Sequence, residues 1–262
     1  TWVDINKGDK VNPEYRSRLV AKEINTGKGD NLFAATPPLE AKKILFSMAI
    51  TEGIGFERGN LSRGMKLDFI DVRRAYFHAE SRRRVFINLP KEDFEEGMCG
   101  ELCKSMYGTR DAAQNWEKEY SGFMVSMGFE TGKANPCVFY HEEKGVRAVI
   151  HGDDFTLLGH SENLDWFRKG ISQKFEVKFR GRLGPEESDG KSIRILNRVV
   201  EWNSEGIKYE ADQRHAEIIV EKMGLRGESR SVRTPGVKPS EITEEEGGDE
   251  KLSPQESTLY RG

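Results

Sequence analysis

The stretch from Ala148 to Gly159, AVIHGDDFTLLG, constrains the chain most. Ala148, Val149 and Ile150 read as the end of one strand, and Phe155, Thr156, Leu157 and Leu158 as the start of the next. Gly152 supplies turn freedom between them. Asp153 and Asp154 then sit at the tip of a strand pair, where negative charge is held on a rigid scaffold. A divalent-metal site for phosphoryl chemistry needs such charge. By itself the stretch also reads as an ordinary Gly-Asp hairpin turn. The choice depends on a third carboxylate and on a surface for nucleic acid.

The formal net charge of -3 over 262 residues argues against a polyanionic partner, but it is unevenly spread. Between Glu241 and Ser257 lie seven acids and one base, Lys251, a net -6 that leaves +3 on the rest of the chain. That remainder carries the basic clusters Arg16/Arg18/Lys22, Arg73/Arg74 and Arg82/Arg83/Arg84, which suit nucleic acid without being diagnostic of it. A mean hydropathy of -0.68 and the lack of an 18-residue apolar run exclude a membrane-spanning helix. The opening TWVDINKGDK does not read as a secretory signal, so the expected location is intracellular, in cytoplasm or nucleus. Cys99, Cys103 and Cys137 have no paired Cys or His set downstream, which argues against zinc and for reduced thiols.

Residues 2–6 and 15–22 read as two strands, with Arg16, Arg18 and Lys22 on one face. Pro37 and Pro38 open a helix to about Glu52 with Ala41, Ile44, Leu45, Met48 and Ala49 as its apolar stripe. MKLDFID, 65–71, reads as a strand with Met65, Leu67, Phe69 and Asp71 on one face and Asp68 on the other. An acid ending an apolar strand face is costly unless paired or bound to metal. Residues 84–89 read as a further strand. Asp111 can cap a helix to about Met127, whose stripe of Trp116, Tyr120, Phe123 and Met127 reads as core. Strands follow at 137–140 and 147–150, then a helix after Ser161 and a strand at 175–179. Residues 192–202 and 206–210 read as one hairpin. A last helix after Asp212 turns Ala216, Ile219, Val220 and Met223 inward. Residues 236–262 read as an acidic linker or disordered tail. The order of elements indicates an α+β fold.

Asp71, Asp153 and Asp154 form the minimum acid set for a two-metal site, and the motifs around them resemble a known family. YRSRLVAKE at Tyr15–Glu23 is similar to Y-K-A-R-L-V-A-K-G of Ty1/copia-type retrotransposon reverse transcriptases. LFAATPPLEAKKILFSMA resembles that family's F-A-P-V segment and helix, and IDVRRAYFHAE its first catalytic motif, M-D-V-K-T-A-F-L-N-G. CKSMYGTRDAAQNW resembles C-K-L-x-K-S-L-Y-G-L-K-Q-A-P-R-x-W. NPCVFY resembles D-P-C-L-F, and HGDD corresponds to Y-V-D-D. GIKYEADQRHAEIIVEKMGL with VRTP resembles the segment that follows, and TLYRG the start of Y-R-S-L-V-G. Each motif is weak alone, and their shared order is specific.

The resemblance implies an RNA-directed DNA polymerase with a right-hand fold, an antiparallel palm sheet packed on helices, and a truncated C-terminus. Fingers are expected at about 1–64 and 78–110, palm at 65–77 and 111–210, and the start of a thumb-like region at 211–235. Asp71, Asp153 and Asp154 would hold two Mg²⁺ or Mn²⁺ ions. Tyr76 would select deoxynucleotides, and Arg18 and Lys22 would contact the triphosphate. The 192–210 hairpin would grip the primer terminus. The implied partners are an RNA template, a DNA primer and dNTPs, with no membrane. The RNase H and integrase regions of a parent polyprotein are expected but absent here. Three positions depart from the family: His151 replaces Tyr, Asp111-Ala112-Ala113 replaces Q-A-P, and Ile195-Leu196-Asn197 replaces F-L-G. An acid at 111 is expected to face the polyanionic substrate. Two other readings remain: a non-catalytic remnant that at most binds nucleic acid, and an RNA-dependent RNA polymerase, which also uses G-D-D. Tyr76 and the copia-like flanks argue against the latter.

Overall fold

The computed structural model describes residues 1–6, 12–24, 32–196, 198–211, 213–222, 224, 253–255 and 257. The chain divides into two compact units, Thr1–Ile195 with Val200–Tyr209, and Leu196–Val199 with Glu210–Gly262. Apart from 253–255 and 257, the acidic tail lies outside the described residues.

The larger unit opens with β1 (Trp2–Asn6) and β2 (Tyr15–Leu19), an antiparallel ribbon. Next come α1 (Leu39–Ile50), β3 (Lys66–Val72) and the single-turn α2 (Ala75–His78). Two short strands, β4 (Phe86–Ile87) and β5 (Gly100–Glu101), pair ahead of α3 (Ala112–Ser126). Then follow β6 (Glu130–Thr131), β7 (Val138–His141), β8 (Val146–His151), β9 (Asp154–Gly159), α4 (Ser161–Lys174) and β10 (Val177–Leu183). A three-stranded sheet in sequence order is made by β11 (Ser192–Ile195), β12 (Arg198–Asn203) and β13 (Gly206–Ala211). In the second unit, α5 spans Gln213–Lys222.

The central sheet has six strands in the order β10-β3-β9-β8-β7-β6, and every pairing is antiparallel. Both of its faces are covered, which is why β8 and β9 read as nearly continuous apolar runs and do not alternate. On one face Ile70, Val72, Ala148, Ile150, Phe155 and Leu157 pack with α3 and α4. Trp116, Tyr120 and Phe123 are buried there, as their helical spacing predicts. On the other face Leu67, Phe69, Val149 and Leu158 pack with Leu45, Phe46 and Ala49 of α1, and with Ile195, Val200 and Trp202.

Four sequence expectations change. The apolar stripe of α1 is rotated: Lys42, Leu45, Phe46 and Ala49 are buried, while Ile44 is 58% exposed. The 84–89 strand shrinks to Phe86–Ile87. The expected strand at 192–202 breaks at Leu196, which adopts φ 45°, so β11 and β12 are separate strands; Asn197 lies outside the described residues. In α5, Ile219 and Val220 are exposed where the pattern turns them inward, and Met223 lies outside the described residues. All three cysteines are free. Among the described residues no helix is long and apolar enough to cross a membrane.

Candidate active site

β8 ends at His151 and β9 begins at Asp154, so Gly152 and Asp153 are the whole turn. Gly152 has φ +63° and Asp153 does not cross into positive φ, the arrangement of a type II′ hairpin. Two hydrogen bonds anchor the turn. Trp116 Nε1 donates to the Gly152 carbonyl and the Val72 amide donates to the Asp153 carbonyl, each at 2.9 Å.

The sheet register brings the strand acids together. Asp71 on β3 lies directly opposite Asp154 on β9, and His151 on β8 lies opposite Asp154 from the other side. Directly opposed residues in an antiparallel pair point to the same face, with Cβ atoms about 5 Å apart. By the period of two, that face is the one Phe69 and Val149 share, and α1 covers it. Asp68 points the other way. It is 0% exposed and accepts hydrogen bonds from Arg168 (Nε, 2.7 Å) and Arg182 (Nη2, 3.1 Å). It is therefore a paired structural charge, as its register position predicts.

The acids repel one another. Burial first, then Asp153, push the Asp154 carboxyl up to about 6; Asp71 adds to this, against the pull of Lys42 and Arg180. Asp153 is raised by burial and by Asp71, against Arg18 and His151. His151 is lowered by burial and by Lys42, so its imidazole is neutral at physiological pH. Among the described residues no group of three or more His, Cys, Asp or Glu side chains is drawn together closely enough to hold a metal ion. The donor chemistry nevertheless fits a hard divalent cation. Three carboxylates come from two strands and a turn, and a cation would offset the burial, and after it the like charge, that raise Asp153 and Asp154.

An aromatic cluster lies beside these acids. Arg74, at φ 54°, turns the chain from β3 into α2, which carries Tyr76. The Tyr76 ring is 4.5 Å from Tyr107, Phe77 is 5.6 Å from Tyr107, and the Arg18 guanidinium lies 5.5 Å over the Tyr107 ring. Burial and the charge of Asp153 raise both tyrosine hydroxyls. Arg18 and Tyr76 therefore share one electrostatic environment with the acids. Lys22 is exposed beyond the end of β2 and lines a cavity of about 1070 Å³ with Glu23, Arg83 and Met106. Arg18 is not part of that lining.

The expectation for Asp111 is overturned. It is buried at 4% exposure, and its side chain does not cap α3. Arg83 Nη2 donates to it at 3.0 Å and Asn115 Nδ2 at 2.9 Å. Arg83 also pairs with Glu23. Burial opposes ionisation of Asp111, but these bonds outweigh it and hold the carboxyl below its usual range. Its charge is neutralised inside the fold and faces no substrate.

Sequence reasoning missed two residues. Tyr107 lies within the KSMYG segment, but no local pattern marks it as part of the site. Lys42 stands at i, i+3, i+4, i+7 spacing with Leu45, Phe46 and Ala49, a signal discarded because lysine counts as polar.

Residues 1–188 match the family model described as reverse transcriptase (RNA-dependent DNA polymerase). The chain is 24% identical over 240 residues to the retrovirus-related Pol polyprotein from transposon TNT 1-94 of Nicotiana tabacum, covering 87% of this chain and 16% of that protein. It is 22% identical over 171 residues to the Pol polyprotein from transposon RE1 of Arabidopsis thaliana, covering 63% and 11%. It is 24% identical over 115 residues to the Ty1-DR4 Gag-Pol polyprotein of Saccharomyces cerevisiae, covering 44% and 7%. The chain thus spans a small part of the curated relatives it matches. It belongs to the reverse transcriptase (RNA-dependent DNA polymerase) family, among the relatives of Ty1/copia-type transposon Pol polyproteins.

Proposed function

We propose that this chain is the polymerase core of a copia-like Pol polyprotein and extends a DNA primer on an RNA template with dNTPs. Asp71, Asp153 and Asp154 would hold two Mg²⁺ or Mn²⁺ ions. When bound, these supply an acidified primer 3′-hydroxyl and charge neutralisation at the leaving pyrophosphate. Asp71 and Asp154 ride on paired strands, so their spacing is held by the sheet, and Asp153 rides on a turn bonded to Trp116 and Val72. Arg18 offers the triphosphate a cation oriented by the Tyr107 ring. Tyr76 would close against the 2′ position of the incoming sugar and so exclude ribonucleotides. Lys22 would reach the phosphates from the end of β2. In this reading the fingers are about 1–64 and 78–110, the palm 65–77 and 111–210, and a thumb-like region starts at 211.

The observation that carries the reading is the register pairing of Asp71 with Asp154 beside the Gly152–Asp153 turn. The test is primer extension on an RNA template with dNTPs and Mg²⁺ or Mn²⁺, wild type against Asp153→Asn/Asp154→Asn. Loss of extension in the double variant is expected, and equal extension would sink the reading. Template–primer binding without extension by the wild type would instead assign a non-catalytic remnant. Equal use of rNTPs would remove Tyr76 from its role.

A further inference from the structure

We infer that Tyr107 is the positioning residue of nucleotide selection, holding the Tyr76 ring and the Arg18 guanidinium on one aromatic platform. The inference rests on the reading above, in which Tyr76 meets the sugar and Arg18 the triphosphate.

Tyr76 rides on α2, a single helical turn, and one turn does not persist without tertiary packing. Arg18 rides on β2, half of a two-stranded ribbon, which is likewise marginal by itself. Neither element alone fixes the side chain it carries. Tyr107 touches both side chains. Its ring lies 4.5 Å from Tyr76 at an interplanar angle of 38°, and Phe77 meets it edge-on at 5.6 Å. The Arg18 guanidinium lies 5.5 Å over the same ring.

The backbone seats that ring. The Ala21 amide donates to the Tyr107 carbonyl at 2.8 Å, and the Glu23 amide to the Gly108 carbonyl at 3.3 Å. Gly108, at φ +90°, lets the two segments close, since a Cβ there would lie 2.0 Å from the Ala21 carbonyl oxygen. An aromatic side chain has few rotamers, so a seated backbone gives a seated ring. Tyr107 is thus tied to the exit of β2 through its main chain and to α2 through its ring. A 2′-hydroxyl that pushes Tyr76 aside disturbs the ring that also orients Arg18. Sugar choice and triphosphate grip are therefore coupled through Tyr107.

The test is single-nucleotide primer extension by the full chain, with kcat and KM measured for one dNTP and the matching rNTP. Tyr107→Leu removes the ring. Discrimination against the rNTP is expected to fall about fivefold, from loss of one aromatic pair. The dNTP KM is expected to rise about threefold, from loss of the cation–π contact, with kcat changed less than KM. Tyr107→Phe, which keeps the ring, is expected to rescue both. In a Tyr76→Ala background, where discrimination is already lost, Tyr107→Leu should lower it no further but should still raise KM. Tyr107→Met repeats the measurements should the Leu protein fail to fold. Wild-type discrimination or wild-type KM in a folded Leu or Met variant overturns the platform and leaves the polymerase reading standing. So does failure of Tyr107→Phe to rescue, which assigns the effect to the hydroxyl, or a further fall in the Tyr76→Ala background, which means that Tyr107 does not act through Tyr76. No extension by wild type, or full discrimination by Tyr76→Ala, overturns the underlying reading and this inference with it.

Discussion

Trp116→Phe tests whether the turn that carries Asp153 is held from beneath by α3. Trp116 is 1% exposed and packs edge-on against Tyr120 at 5.6 Å and Phe175 at 5.1 Å between ring centroids. Its Nε1 donates to the Gly152 carbonyl at 2.9 Å. Phenylalanine keeps most of the ring contacts but removes the bond and leaves a void of about 40 Å³, worth about 1 kcal/mol at the usual cavity cost, with a similar loss of transfer energy. The lost hydrogen bond adds about 1 kcal/mol, its net and not its full value, because exposed Gly152 can return its carbonyl to water. The total is about 2–3 kcal/mol, read by urea unfolding followed by circular dichroism. A second readout separates anchoring from bulk stability. The Val72 amide bonds to the same turn, so its hydrogen exchange should accelerate, and Mn²⁺ affinity should fall several-fold. Phe167→Leu, in the same core but without a bond to the turn, should lose comparable stability with neither effect. If the two variants lose stability alike and both retain Mn²⁺ affinity and Val72 protection, the anchoring argument is refuted.

Asp68→Asn should cost about 3 kcal/mol, because it removes the fully buried carboxylate that pairs with Arg168 and Arg182 and leaves Arg168 without its ion pair, while Arg182 keeps Asp165; a thermal melt within experimental error of wild type would contradict this. Gly108→Ala should destabilise by about 2–4 kcal/mol, since Gly108 has φ +90° and a Cβ there would sit 2.0 Å from the Ala21 carbonyl oxygen; rescue of the melting temperature by no condition tried, together with weakened nucleotide binding, would follow from displacing the β2 exit. Asp154→Asn should raise the stability of the metal-free protein at pH 8 by about 3 kcal/mol. The sign follows from the raised carboxyl: the folded protein holds that proton up to about pH 6, the unfolded chain loses it near pH 4, and stability falls between the two as pH rises. The gain should vanish near pH 4, and a gain independent of pH would contradict the assignment.

The central sheet was legible from Cys137 to Gly159 because short apolar runs there alternate with turns that need glycine, at Gly145 (φ +59°) and Gly152 (φ +63°). Helix α3 was legible for a similar reason: its large aromatics recur at helical spacing and are buried. The break between β11 and β12 was not, since SIRILNRVVEW contains no glycine or proline and Leu196 adopts a left-handed conformation that its residue type does not signal. Lys42 was left out of the α1 stripe because a binary pattern counts lysine as polar, although the side chain is buried. Asp111 was misplaced because its partner, Arg83, is supplied by tertiary structure 28 residues away.

The treatment of buried charge distinguishes the candidate site from the scaffold. Lys66 is paired with Glu186 and Asp189, each at 2.6 Å. Asp68 is paired with Arg168 and Arg182, and Asp111 with Arg83. Each of these charges has a direct opposite partner, as burial demands. Lys42 is also withdrawn from water and Asp154 partly so, yet neither forms an ion pair among the described residues; Lys42 and Arg180 favour the Asp154 carboxylate through space, and burial holds the Lys42 ammonium below its usual range. A fold that neutralises its structural charges by contact, and leaves one set unneutralised on a single sheet face, keeps that set available for an outside charge. The substitution of Asp at 111 therefore belongs to the first group and leaves the site's electrostatics alone. The lysine at 42, buried with an ammonium nitrogen unpartnered among the described residues, belongs to the second.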